Sequence, residues 1–191
     1  MKLGEIAEIK TGLVLKRKKA NEESSALHKY SALTLKSIKK NGVINTDELE
    51  EFYSSEFLNE NYLTKANDIV IRLSEPNTAA YIYDNIENIL VPSQFCILRK
   101  RTHSFNFEYL AWYLNSEFIK KEIRKASVGS ALTIVTTSFL NDLSIDKIPM
   151  ENQKKIVEIV RLKNRELNLL ETLIIEKEKL YDGLIEKLFI K

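Results

Sequence analysis

The sequence predicts an α+β protein: a β-rich body with a helical insert, followed by one long C-terminal coiled-coil helix. Three observations predict it. Up to about residue 100, apolar residues come in short alternating or β-branched runs separated by turn residues, the period-2 signature of strands. From Phe107 the apolar period lengthens to that of a helix. From Glu151 to Lys191 there is no Pro, one Gly (Gly183), and an apolar repeat in steps of three and four.

Taken in order, Leu3-Gly4-Glu5-Ile6-Ala7-Glu8-Ile9-Lys10 predicts a first strand, or one helical turn running into a strand, broken at Thr11-Gly12. Lys16 to Ser25 is polar and reads as a surface loop. Tyr30 to Leu35 alternates like a half-buried strand, and Lys39-Lys40-Asn41-Gly42 signals a turn. Ile69-Val70-Ile71-Arg72-Leu73 is a strong β-branched strand. Ala79 to Tyr83 and Ile89-Leu90-Val91 continue the pattern, and Phe95 to Arg99 is a further strand. Phe107 to Leu114 and Phe118 to Ile123 predict two helices broken near Asn115-Ser116. Ser127 to Ser138 is small and hydroxyl-rich, and Leu143 to Pro149 predicts a last short strand.

In the final helix, Ile156, Val160, Leu167, Leu170, Ile174, Tyr181, Leu184 and Leu188 fall on one seam, with Lys163 and Lys177 as its polar members. A 3.5-residue spacing keeps such a stripe facing a partner helix. At 1.5 Å per residue the rod runs roughly 60 Å, more than a body of this size needs for its own core.

A chain of 191 residues, 44% hydrophobic, buries one good core, so one globular domain plus the rod is the economical count. No apolar run approaches a membrane span, and Met1-Lys2-Leu3-Gly4 is no signal peptide, which predicts a soluble, cytoplasmic protein. The net charge of +2 is unevenly laid out. Residues 1–40 hold ten cations against four acids, and residues 41–90 hold two against ten. Two readings stand: a basic face for DNA phosphates, or basic and acidic stretches that pair with each other.

Catalytic constellations are missing. There is no Asn-Pro-Pro-Tyr or Asp-Pro-Pro-Tyr segment, and the five Gly form no phosphate loop. The triplet Glu8-Ile9-Lys10 and the run Glu176-Lys177-Glu178-Lys179 are the chance acid–base neighbours expected at 29% charged residues. His28 and His103 share no metal-ligand spacing with Cys96, which sits in an apolar run and reads as a buried structural thiol. The sequence predicts no cofactor, no metal and no catalytic residue.

From end to end the chain resembles a target-recognition domain and its spacer helix from the DNA-specificity subunit of type I restriction–modification systems. Leu3 to Gly12 is similar to the family's opening. Asn67-Asp68-Ile69-Val70-Ile71-Arg72 is similar to its Asp-Ile-Leu strand, with Asn67 where a Gly is usual. Ser93 to Arg99 resembles its central strand. Tyr109 to Ser116 with Ala126-Ser127-Val128-Gly129-Ser130 resembles its helix and small-residue loop. Ile148-Pro149-Met150-Glu151-Asn152-Gln153-Lys154-Lys155-Ile156 resembles its Pro-x-x-x-Gln-x-x-Ile entry into the spacer.

The resemblance implies residues 1–149 as a DNA-binding target-recognition domain and 150–191 as a spacer and dimerisation helix. It implies double-stranded DNA, methyltransferase (modification) subunits and, through them, a restriction subunit as partners, with no catalysis in the chain itself. A full subunit carries two recognition domains and two spacers. One of each implies a half-subunit or a fragment, and a homodimer that reads half-site, fixed gap, inverted half-site.

For the readout, Lys16, Arg17, Lys18 and Lys19 either neutralise phosphates or solvate their loop, and Lys36, Lys39 and Lys40 extend that surface. Arg72, at a strand end, is either a guanine reader or a salt-bridge partner of the acidic middle segment. Ser127, Ser130 and Thr133 suit close approach to a DNA backbone, or an ordinary connection. Tyr109, Trp112 and Tyr113 are core or a methyltransferase-facing patch. The competing function class is a coiled-coil scaffold that reads no sequence.

Overall fold

The computed structural model describes residues 1–20, 22–126 and 134–189. They divide into two units, Met1–Lys154 and Lys155–Lys191. In the first unit a short helix α1 (Leu3–Ile6) runs directly into strand β1 (Ala7–Thr11). β2 (His28–Ala32), β3 (Glu50–Ser54), β4 (Ile69–Arg72), β5 (Ala79–Tyr81) and β6 (Phe95–Lys100) follow. The helical part consists of α2 (Phe107–Leu114), α3 (Glu117–Ala126) and α4 (Thr137–Asp142). The last helix, α5, spans Met150–Phe189. The α+β class expected from sequence holds: two antiparallel sheets, a helical insert, one long C-terminal helix.

The main sheet has the order β1-β6-β4-β5, and β2 pairs with β3 in a second, two-stranded sheet. Its central strands are those whose sequences are apolar without alternation. Ile69, Val70 and Ile71 of β4 and Phe95 to Leu98 of β6 are buried on both faces, as a strand covered above and below requires. Val70, Ala80 and Ile97 face a core that includes Leu33, Ile44, Ile82 and Val91. α2 packs against β4 and β5 and buries Leu110 and Leu114; Asn106 caps its start by accepting from the Tyr109 amide at 3.0 Å. The Asn115-Ser116 break between α2 and α3 is present, and the Asn115 side chain hydrogen-bonds both the N–H and the carbonyl of Ala79.

Two expectations need correction. Leu143 to Pro149 is not a strand. Ser144 makes a single bridge to Lys2, and the pairing stops because α1 begins at Leu3. Ile89–Val91 is likewise no strand, although Leu90 bridges Ala32 and Leu63. The hydroxyl-rich stretch ends in α4, because Thr136 is an N-cap whose side chain accepts from the Phe139 amide at 3.1 Å.

In the second unit α5 continues alone. Ile156 and Val160 are half-buried, whereas Leu167, Leu170, Ile174, Tyr181, Leu184 and Leu188 are exposed, Leu188 at 79%. Beside this seam runs a second exposed row, Ile159, Leu162, Leu169, Leu173 and Leu180. At 100° per residue the two rows form an apolar arc roughly 160° wide.

Candidate nucleic-acid interface

The strand register places one row of residues across the end of the main sheet. Thr11 lies opposite Cys96, Arg72 opposite Phe95, and Ile71 opposite both Cys96 and Ala79. Three connections therefore leave from the same end: Gly12 onward after β1, Leu73–Thr78 between β4 and β5, and Pro92–Gln94 before β6. Main-chain bonds knit them together. Gly12 donates to Phe95, Leu13 to Val91, Ser93 to Leu13 and Leu73 to Gln94, all at 2.8–2.9 Å. Gly12 has to be Gly, since a Cβ there would stand 2.2 Å from the Pro92 carbonyl oxygen.

Of the four consecutive cations on the first connection, Lys16, Arg17 and Lys19 are exposed. Lys18 is taken up by Glu56 at 2.6 Å. Lys36 is exposed and lines a groove of about 480 Å³ with Leu15, Gln94, Asp47 and Glu51, so one wall of this groove is acidic. Lys39 and Lys40 are exposed on a turn closed by Gly42, whose φ of 79° suits Gly. That turn lies against the Ala79 carbonyl at the start of β5. Ser127, Ser130 and Thr133 fall outside the described residues. The chain is described again at Ile134, which bridges Ser74, and Val135 donates to the Leu73 carbonyl at 2.9 Å.

Arg72 is half-buried at the end of β4, and its Nε donates to Ser74 Oγ at 3.0 Å. The alternative of a salt bridge to the acidic middle segment is not realised: among the described residues Arg72 has no ion pair. Arg99 makes that bridge instead, to Asp68, which is 2% exposed, at 3.0 Å. Asp68 also accepts from the Lys65 amide at 2.9 Å. Asn67, standing in the usual Gly position, has φ 66°, the left-handed region that Asn tolerates better than other non-glycine residues. Part of the charge segregation resolves into pairs between the basic and acidic stretches, Lys18 with Glu56 and Lys29 with Glu51. Hydrogen bonds from Lys29 and Tyr53 hold the Glu51 carboxyl below its ordinary range.

Sequence reasoning missed two residues at this end. Gln94 is exposed beside the Leu73 backbone, and nothing in its neighbourhood of sequence marks it. Lys120 on α3 donates from Nζ to the carbonyls of Pro76 and Asn77 at 2.5 Å each. Burial pulls its ammonium down to about 8. Cys96 is fully buried as expected, and desolvation pushes its thiol up to about 11. Among the described residues no group of three His, Cys, Asp or Glu is placed to hold a metal, and no helix is long and apolar enough to cross a membrane. Tyr109 is buried, Tyr113 half-buried, and Trp112 39% exposed.

Residues 1–177 match the family described as the type I restriction modification DNA specificity domain. The chain belongs to that family. No curated protein matches it significantly. Among solved structures, the HsdS subunit from Thermoanaerobacter tengcongensis is similar at 17% identity, with a TM-score of 0.65 over 94% of this chain and 45% of its own. A structure described under complex assembly and conformational transition of the type I R-M system matches at 16% identity and a TM-score of 0.66, with the same coverages. The S subunit of the type I restriction-modification system from M. genitalium matches at 17% identity and 0.59, over 96% of this chain and 43% of its own. At these identities the likeness is one of fold, and the specificity-domain chain spans less than half the length of each of these structures.

Proposed function

We propose that the chain is the non-catalytic DNA-reading component of a type I restriction–modification complex and directs modification and restriction subunits to a bipartite site. Membership of the specificity-domain family carries this reading. The convergence of three connections on one end of the sheet supports the location: Lys16, Arg17 and Lys19 contact phosphates there, and Arg72 reaches a base. Lys36, Lys39 and Lys40 extend the phosphate-contacting surface, and Ser127, Ser130 and Thr133 belong to the same candidate set. In this assignment residues 1–149 form the recognition domain and 150–191 the spacer and dimerisation helix. The exposed seam of α5 supports self-pairing, which makes the target a half-site, a fixed gap and an inverted half-site. The apolar arc is wider than one helix covers, and the second row is left for the modification subunits.

Selection from a randomised duplex pool, with and without the cognate modification subunits, tests the reading. Enrichment of a split, symmetric motif is the expected result. Replacing Lys16, Arg17 and Lys19 with Ala reduces the magnitude of the slope of log affinity against log salt by about 2 to 3 for each half-site bound, since each phosphate contact contributes about 0.9. Binding with no enriched sequence would leave the scaffold reading that the exposed seam by itself allows.

A further inference from the structure

The turn between β4 and β5 is exposed at Glu75 and Pro76, yet it is fastened from several sides. Asn77 is 3% exposed, and its Nδ2 donates to the carbonyls of Leu73 at 2.8 Å and Arg72 at 3.4 Å. The Asn77 amide returns to the Ser74 carbonyl at 2.9 Å, and Arg72 donates its amide to Thr78 at 3.0 Å. From α3, Lys120 reaches the carbonyls of both Pro76 and Asn77. Holding main-chain oxygens of a surface turn with a half-buried ammonium carries a desolvation cost, because water serves those oxygens equally well. The arrangement makes physical sense if the turn has to keep one shape.

What the turn shapes is Arg72. Its Nε is used by Ser74 Oγ, while neither terminal guanidinium nitrogen has a partner among the described residues. Those two nitrogens are the pair that addresses guanine O6 and N7 in the major groove. A side chain pre-set by its neighbours loses less freedom on binding, and so discriminates better than a loose one.

Building on the DNA-reading function above, we propose that Lys120 is a positioning residue for sequence readout: by holding the Pro76 and Asn77 carbonyls it fixes the β4–β5 turn that aims the Arg72 guanidinium at a guanine. Lys120 itself touches no base. The charged groups nearest to it, Glu117 and Arg124, are on its own helix and pair with each other at 3.2 Å.

The test compares affinity for the duplex enriched by the wild-type chain with affinity for a scrambled duplex of equal length, at one salt concentration. Lys120→Met and Arg72→Ala are each expected to lower that ratio about tenfold, with scrambled-duplex affinity unchanged in Lys120→Met. The double variant loses no more than Arg72→Ala alone, because both act through one guanidinium. Lys120→Arg, which keeps the charge and both donors, stays within about twofold of wild type. The side-chain Nε–H resonance of Arg72 is sharp in the wild type and broadened in Lys120→Met, with backbone amides outside the turn unmoved. An unchanged ratio in Lys120→Met, losses that multiply in the double variant, or an equal loss in Lys120→Arg overturns the positioning role alone. A wild-type chain that enriches no sequence overturns the DNA-reading function and this role with it. If Lys120→Met does not fold, Lys120→Gln, too short to span both carbonyls, takes its place under the same outcomes.

Discussion

Asp68 and Lys120 both carry charge away from water, by different means. Asp68 is bound by the Arg99 fork and the Lys65 amide, so its buried carboxylate has a counter-charge and a main-chain donor. Lys120 has carbonyl oxygens and no acid in contact, and burial lowers it from 10.5 to about 8. Folding stability follows with a definite sign. Between pH 8 and 10.5 the unfolded chain holds a proton at this lysine that the folded chain has released, so stability from this group rises with pH. Cys96 acts in the opposite sense above pH 9, where the folded thiol keeps the proton the unfolded one loses. Urea midpoints of wild type and Lys120→Met cancel the cysteine contribution. The gap between them shifts in favour of the wild type as pH is raised from 7.5 to 10.5. A gap that stays constant across this window means that Lys120 is not desolvated.

At the scale of elements, Gln153 shows what the Pro149-to-Ile156 segment at the start of α5 holds together. The side chain is fully buried: Oε1 accepts the Asn106 amide at 2.8 Å and Nε2 donates to the Ile148 carbonyl at 2.9 Å. One amide thus ties the N-cap of α2 to the last residues before α5. Truncation to Ala leaves a donor and an acceptor unpaired at the N-cap of α2 and before α5, at a cost of about 1–3 kcal/mol. Urea unfolding of Gln153→Ala measures it, and a stability within error of wild type would show that water takes the place of the amide. The same scale shows what was legible beforehand. β4, β6, α2, α3 and α5 announce themselves because continuous apolar runs and 3.6-residue periods follow directly from burial. β3 does not, since it lies outside the main sheet and exposes Glu50 and Glu51, with Phe52 its one buried apolar residue. The α4 start is hidden because hydroxyl residues signal a loop and a helix cap equally well.

For the molecule as a whole, the candidate interface was legible as parts and not as a place. Lys16 to Lys19 and Arg72 stand out by residue type, but that the connection after β1 leaves from the Arg72 end of the sheet depends on the order β1-β6-β4-β5, which sets Thr11 beside Cys96 across 85 positions of chain; further along, that connection runs beside β3, where Lys19 bridges Ser54. Lys120 has no local signal at all, because the role proposed for it comes only from the turn that the fold sets next to it. Helix α5 is the reverse case. Its seam is plain in the sequence, and in the structure six of its apolar members stay exposed. Apolar surface of that extent on one helix finds a partner in water. If that partner is a second copy, Lys163 and Lys177 hold the register at the expense of affinity, since a polar residue on the seam disfavours close packing while rejecting slipped pairings. Replacing both with Leu then tightens self-association, measured by sedimentation equilibrium at micromolar concentration. It also loosens register, which appears as a broadened gap length between half-sites in the selected DNA pool. Unaltered association in the double Leu variant would mean that the two rods meet along another face, with the row from Ile159 to Leu180 the next to be tested.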